Sequence, residues 1–540
     1  MSLSSDLPAD GFSLKLALFL GGLAVLLLLV ALVVRWWGRI YQETEAGRGG
    51  LARRVLKNSL TPLIARLINR AVDFAFAIVV LHYLGVEGYG AYAIAALLVG
   101  QYLTTVADFG LSTLSTREVA REPEAANRYL SNTTLLRWAL SALALPLCAL
   151  IIFIYSRTPQ PLSVEAQAAL WLLAAGLFPA GLAAAVSALF TARERLEVPA
   201  LAGLLTNILK VFAGVGVLVA GWGVVGLAAS SLLVTLANAV LFLYLQCRFL
   251  FVPRLEVDLA LWRWMVPEAL PLMLNNLLVL IFFRFDTFIL QPYGGARAVG
   301  AYDAAYKLPN ALIEVPYFLT MALFPLLSRL AVEDRSRLEH TYHLALKVLL
   351  VLAFPLAMMA SVLAPEIIFL LGGKEYLPDS AIALSVLIWF LPLSYVNGVT
   401  QYLLIALNRQ RTITLAFILA ALFNVGSNLY WIPRYGPYGY LAASLITIMT
   451  EGVLFVPLWA VVRREGLRLP LLGVAWRPAL ATAVMGVPMV LLHARGLWPV
   501  ALLVGPALYG AMLLLLRTWT EEERDFFRRL WPWRRRGISE

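Results

Sequence analysis

Apolar runs, each about as long as a bilayer is thick, follow one another from residue 13 to residue 516 with only short connections between them. A chain crossing hydrocarbon must satisfy its backbone hydrogen bonds internally, which leaves helices or a closed barrel. Runs of about twenty residues fit helices, and the fold class that follows is an all-α polytopic membrane protein. The predicted spans are 13–34, then fourteen more at 60–84, 91–112, 135–155, 168–190, 200–220, 224–246, 270–291, 299–328, 344–371, 382–407, 413–431, 438–462, 471–493 and 498–516. Only 14% of residues are charged, against about 25% in soluble domains. No connection is long enough for a separate soluble domain.

The net charge of +11 has a topological reading rather than a nucleic-acid one. When the loop 35–57 is placed in the cytoplasm and the spans alternate, 32 of the 43 Lys and Arg fall on the cytoplasmic side. Six fall outside, Arg66, Arg70, Lys210, Arg284 and Lys307 lie deep within spans, and Arg137, Lys347 and Arg477, in the first turns of their spans, are counted with the cytoplasmic flank. That bias orients the chain with its N-terminus outside and its C-terminus in the cytoplasm, and the expected location is the cell (inner or plasma) membrane. The first run reads either as an uncleaved helix or as a removable signal. The tail 519–540 pairs Thr520 with Glu523 in a capping-box pattern and mixes Phe526, Phe527 and Trp531 with arginines. It reads as a basic amphipathic segment on membrane lipid, or simply as a basic stop. Two cysteines and four histidines without ligand spacing point to neither a disulfide framework nor a metal site.

A charge at bilayer depth costs roughly 2.5–3.5 kcal/mol. Arg66, Arg70, Asp73, Arg284 and Asp286 facing lipid would together cost on the order of 10 kcal/mol. They must therefore face protein or water. Arg66, Arg70 and Asp73 share one helical face. Gln101, Thr104, Asp108, Ser112 and Ser115 form a polar stripe on the next span. Asp303, Lys307, Asn310 and Glu314 form another, on a helix that Pro316 is expected to bend. Asn275 and Asp286, eleven residues apart, nearly eclipse one another, while Arg284 points elsewhere. Internal pairing of Arg70 with Asp73, and of Lys307 with Asp303, is the simpler explanation for any single residue. The set repeats, however. Stretches 70–121 and 283–330 each carry Arg, then Asp, then an apolar run, then Gly-Ala-Tyr opening a helix. Both run outward and six helices separate them, so they are parallel repeats about an axis along the membrane normal. Two lobes rocking about a polar cavity would give alternating access.

At these residues the chain resembles the polysaccharide biosynthesis (O-antigen flippase) family of the multidrug/oligosaccharidyl-lipid/polysaccharide exporter superfamily. The resemblance rests on LGVEGYGAYAIA at 84–95, DFGLSTLSTREVAR at 108–121, VGAYDAAYKLPNAL at 299–312, ALFPLLSRL at 322–330 and LIALNRQR at 404–411. It implies two six-helix lobes, 56–265 and 266–470, related by a pseudo-two-fold. An extra N-terminal helix and linker (1–45), helices 13 and 14 (471–518) and the tail (519–540) would be additions to that core. It implies a flippase that carries a polyprenyl-diphosphate-linked oligosaccharide to the outer leaflet for cell-surface polysaccharide such as lipopolysaccharide O-antigen. It also implies polysaccharide polymerase and assembly proteins as partners. The cationic candidates for the diphosphate are Arg66, Arg70, Arg284 and Lys307, with Asn275 and Gln101 lining the cavity. Asp73, Asp108, Asp286, Asp303 and Glu314 are candidates for coupling to a proton or sodium gradient. No cofactor, metal or catalytic residue is expected. A multidrug/cation antiporter and a lipid II-type flippase are the alternatives within the superfamily. A membrane glycosyltransferase or polymerase is a distant one, because the outer loops at 157–163, 291–298, 372–379 and 433–437 are too short to hold a donor sugar.

Overall fold

The computed structural model describes residues 51–468 and 471–519, all of them helix or short connection. The first apolar run and the tail containing Thr520 and Glu523 lie outside those residues. α1 (Leu51–Leu97) passes through a wider π-type turn (Leu98–Leu103) into α2 (Thr104–Asp108) and then α3 (Leu111–Arg121). The first lobe continues with α4 (Ala126–Ser156), α5 (Val164–Ala175), α6 (Leu177–Ala192), α7 (Glu197–Val219) and α8 (Gly223–Phe249). α9 (Leu259–Arg284) leads into the second, which holds α10 (Asp286–Leu312), α11 (Glu314–Glu333), α12 (Arg335–Val362), α13 (Ala364–Gly372), α14 (Asp379–Leu387), α15 (Leu391–Ala406), α16 (Gln410–Tyr435) and α17 (Gly439–Arg464). α18 (Leu471–Ala494) and α19 (Trp498–Leu515) follow. Among the described residues, 11 segments are long and apolar enough to cross a membrane, and the 55-residue one, Gln410–Arg464, contains both α16 and α17. The chain is a multi-pass membrane protein.

The repeat seen in the sequence has a backbone counterpart. α1 is kinked at Gly85 (φ 64°, ψ −179°) and α10 at Gly295 (φ 67°, ψ −173°), 210 positions later. Side chains avoid that conformation, so only glycine lets each helix turn there and continue. Five residues beyond each kink the two helices cross at Gly90 and Gly300, again 210 apart. A Cβ on Gly90 would overlap the carbonyl oxygen of Ala296 and lie 2.9 Å from the nitrogen of Gly300. A Cβ on Gly300 would overlap the carbonyl oxygen of Val86 and lie 3.1 Å from the nitrogen of Gly90. The clash is reciprocal, as a pseudo-two-fold axis through the crossing requires. Glycine is what lets two membrane helices approach to backbone contact.

Two further reciprocal contacts close the same end of the molecule. Tyr155, at the end of α4, donates to Phe288 O at 3.0 Å, and Gln160 N donates to Pro292 O at 3.1 Å. Opposite them, Tyr376 of the second lobe donates to Leu81 O at 3.2 Å and Gly85 O at 2.9 Å. Prolines explain part of this pattern. Pro292 has no N–H for Phe288 O, so the tyrosine hydroxyl supplies the missing donor. Tyr395 does the same at 2.7 Å for Leu312 O, freed by Pro316, and Tyr509 at 2.8 Å for Val351 O, freed by Pro355.

The helix expected at 299–328, with its bend at Pro316, divides into α10 and α11 at Ile313 for that reason, while the backbone there keeps helical angles (φ −60°, ψ −24°). The expected span 91–112 is likewise broken, by the π turn and by left-handed Phe109 (φ 53°) and Gly110 (φ 75°).

Residues from α3, α4 and α6, among them Leu114, Leu130, Val186 and Phe190, form the first lobe's core. Leu261, Met265 and Ala269 from the start of α9 join the same core. The far end of α9 packs into the second lobe, with Phe282 5.2 Å from Phe417 of α16. α9 is thus shared between the lobes. Asp258 caps it, accepting from Ala260 N at 2.9 Å and Leu261 N at 3.1 Å while pairing with Arg128. The Leu261 N–H and the Arg128 guanidinium hold this carboxyl below its usual range. α18 and α19 pack on α12 and Leu363 through Met485, Met489, Ala501 and Tyr509.

Candidate functional site

The embedded charges occupy four separate settings. The first is a half-exposed seam between the lobes. Arg66 and Arg70 lie one helical turn apart on α1, and both reach Glu314, the first residue of α11. Arg66 Nη2 is 3.0 Å and Arg70 Nη2 2.8 Å from its carboxylate. The two arginine side chains are 42% and 55% exposed, whereas Glu314 is 12% exposed. The Arg66 guanidinium also lies 4.3 Å over the Tyr317 ring. Asp73 continues the α1 face but pairs with Lys210 of α7 at 3.0 Å, not with Arg70. One turn away Asn207 donates to the Asn69 side chain at 3.1 Å.

The second setting is a buried cluster around Asp303. Lys307 approaches it at 2.8 Å, as its spacing along the helix allows. Arg284 and the Tyr89 hydroxyl bind the same carboxylate, and Tyr89 belongs to the first lobe. Arg284 lies 4.9 Å over the Tyr306 ring, yet its Nε and Nη1 find no acceptor among the described residues. Asp286 forms the third setting alone. It is 1% exposed, accepting from Thr287 N at 2.7 Å and from the Tyr302 hydroxyl. Asn275, expected on the same face, is exposed while Asp286 is buried, so the two do not share a setting. Asn275 is exposed on α9 and Gln101 is exposed on the π turn. Such turns often mark working parts of a helix.

The fourth lies within the first lobe. Asp108 accepts from Ser112 at 2.5 Å and pairs with Arg137 at 2.9 Å. Arg137, expected among the cytoplasmic flank charges, is instead 1% exposed. The break at Phe109 and Gly110 sets Asp108 against α4, and that carboxylate draws the guanidinium inside. Removing one partner of a buried pair leaves the other uncompensated. Arg137→Ala should therefore destabilise the chain by about 3 kcal/mol, read as a lowered melting temperature in detergent.

One buried acid has no counterpart among the sequence candidates. Glu451 of α17 is 1% exposed, and Asn397 donates to its side chain at 2.6 Å and to its backbone carbonyl at 3.0 Å. Beside it Asn424 donates to Thr450 at 3.1 Å, and Asn428 to Asn424 at 2.9 Å. Its visible signal was a lone glutamate inside an apolar run. Among the described residues no group of three His, Cys, Asp or Glu is placed to hold a metal ion.

The polysaccharide biosynthesis protein family model matches residues 55–331. The chain belongs to that family. A second family model, MatE, matches residues 271–430 of this polysaccharide biosynthesis family member. A probable flippase, AglR of Haloferax volcanii, is 26% identical over 187 residues, 34% of this chain and 39% of the relative. The match thus spans about two fifths of that relative's length. In structure, this family member resembles the lipid II flippase MurJ in an inward closed conformation. The TM-score is 0.68 at 17% identity, over 87% of this chain and all of that one. It also resembles an inward-facing multidrug resistance MATE transporter of the MOP superfamily. There the TM-score is 0.57 at 18% identity, over 74% of this chain and 95% of that one. The fold of this family member is therefore the two-lobed MOP fold.

Proposed function

We propose that the protein is a flippase that moves a polyprenyl-diphosphate-linked oligosaccharide from the cytoplasmic to the outer leaflet of the cell membrane. Two arginines on one face of α1, half-exposed where the lobes meet, carry this reading. A diphosphate needs cations, and guanidinium groups meet phosphoryl oxygens with paired hydrogen bonds. The charge bias of the sequence puts the closed Gly85 end outside, so the seam would fill from the cytoplasm. Alternating access would then carry the head group across while the lipid tail stays in the bilayer. The work is transport rather than catalysis, driven by a proton or sodium gradient without a cofactor. Glu451 joins Asp73, Asp108, Asp286, Asp303 and Glu314 as a candidate for ion coupling. Polysaccharide polymerase and assembly proteins are the partners this role implies, and O-antigen-type glycans its products.

The test is transfer of a fluorescent polyprenyl-diphosphate-linked saccharide in vesicles containing the purified protein. Arg66→Ala and Arg70→Ala should each insert normally and lower transfer at least about tenfold, the scale of one charge-assisted hydrogen bond. Lysine at either position should restore part of the activity if charge alone matters, and little if paired geometry matters. Full transfer by both alanine variants would end the proposal.

A further inference from the structure

Glu314 is bonded as a phosphate would be. One carboxylate from the second lobe spans two guanidinium groups from the first, with Oε1 2.8 Å from Arg70 and 3.2 Å from Arg66, and Oε2 3.0 Å from Arg66. Two cations share a single anion, so the seam keeps an uncompensated positive charge. The carboxylate sits on the first residue of α11, directly after the interruption at Ile313. The glutamate reaches the arginines through its flexible side chain, and both arginine side chains are about half-exposed beyond that contact. We propose that Glu314 is a built-in competitor for the phosphate groups of the transported lipid, holding Arg66 and Arg70 when the site is empty and retaking them to expel the substrate. This inference rests on the flippase reading and assigns Glu314 a part in it.

The competition has two consequences. An arriving phosphate must displace Glu314, and because Glu314 bridges the lobes, displacement also unties them on that side. Occupancy and opening are thereby linked through one carboxylate. On the far side the same carboxylate returns to the arginines and limits how long the phosphate stays.

Inorganic pyrophosphate is the probe, titrated calorimetrically into the purified full-length protein in detergent. Glu314→Gln keeps the shape and removes the charge. It should bind pyrophosphate roughly tenfold more tightly than the wild type, the scale of one charge-assisted hydrogen bond, while lipid transfer in vesicles slows because release slows. Glu314→Asp, one methylene shorter, should bind with intermediate strength and serves if the glutamine variant folds poorly. Adding Arg66→Ala and Arg70→Ala to Glu314→Gln should abolish the gain. Pyrophosphate affinity that is unchanged or weaker in both Glu314 variants overturns the competitor role. If the arginine variants lose pyrophosphate binding in that same experiment, the diphosphate seat survives and only the role of Glu314 is lost. If pyrophosphate binds neither wild type nor variant, and transfer survives loss of both arginines, the flippase seat itself falls and this inference with it.

Discussion

Gly300→Val should abolish transfer and hold the Gly85 end open, with the chain still inserted in the membrane. The Cβ introduced at Gly300 would occupy the space of the Val86 carbonyl oxygen. No side chain stands there to rotate away, because both colliding groups are backbone within helices kinked in mirrored fashion at Gly85 and Gly295. Overpacking a side-chain core costs about 1–3 kcal/mol and is relieved by local shifts. Here relief requires whole helices, and with them the lobes, to move apart. The reciprocal geometry makes a second demand. Gly90→Val meets the Ala296 carbonyl in the same way and should give the same phenotype. Gly203→Ala in α7, where an added Cβ meets nothing within 4 Å, should leave transfer unchanged. A cysteine at Val86, 5% exposed, in a background lacking Cys148 and Cys247, reports the opening. A membrane-impermeant maleimide should label it in the valine variants and spare it in the parent. Valine variants that transfer normally and stay unlabelled would show that the crossing is not a gate.

The ionised residues were legible because an apolar background makes each one conspicuous. Their partners were only partly so. Lys307 and Asp303 lie one turn apart and do pair. Arg70 and Asp73 are equally close in sequence, yet each is taken by a residue more than a hundred positions away, Glu314 and Lys210. Helical spacing says which side chains share a face, not which neighbouring helix that face meets. The Gly-Ala-Tyr repeat was readable as the opening of a helix. That its glycines form the crossing between lobes is a property of two helices together, and single-strand patterning carries no trace of it. Arg137 looked like a flank charge because it begins an apolar run; its burial depends on the left-handed break at Phe109 and Gly110, which hydropathy does not encode. Glu451 has no counterpart in the other repeat, so an argument built on recurrence passes over it.

Asp303→Ala should destabilise the protein more than loss of any seam arginine, by about 3–5 kcal/mol. Asp303 is the common counter-ion of Arg284 and Lys307, and its removal leaves two cations in low dielectric with the Tyr89 hydroxyl as a remaining neighbour. Arg284→Ala should be milder, because Asp303 keeps Lys307 at 2.8 Å and Tyr89. Arg66→Ala should barely change stability, since that side chain is 42% exposed. The family resemblance groups Arg66, Arg70, Arg284 and Lys307 as cationic candidates for the substrate, but their surroundings separate them. The Arg284 side chain is 12% exposed and locked to a carboxylate, which suits a strut that joins α9 to α10. Thermal melts in detergent beside transfer assays in vesicles distinguish the two roles. The expected order of melting temperatures is wild type and Arg66→Ala together, then Arg284→Ala, then Asp303→Ala. A triple variant, Arg284→Met with Asp303→Leu and Lys307→Met, should recover much of the loss, because exchanging a whole buried ion cluster for apolar side chains is often neutral. The unmet Nε and Nη1 of Arg284 set up the opposite outcome. If Arg284→Ala melts with the wild type and yet blocks transfer, those two donors are a seat for the substrate, and Asp303 is only what holds them until it arrives.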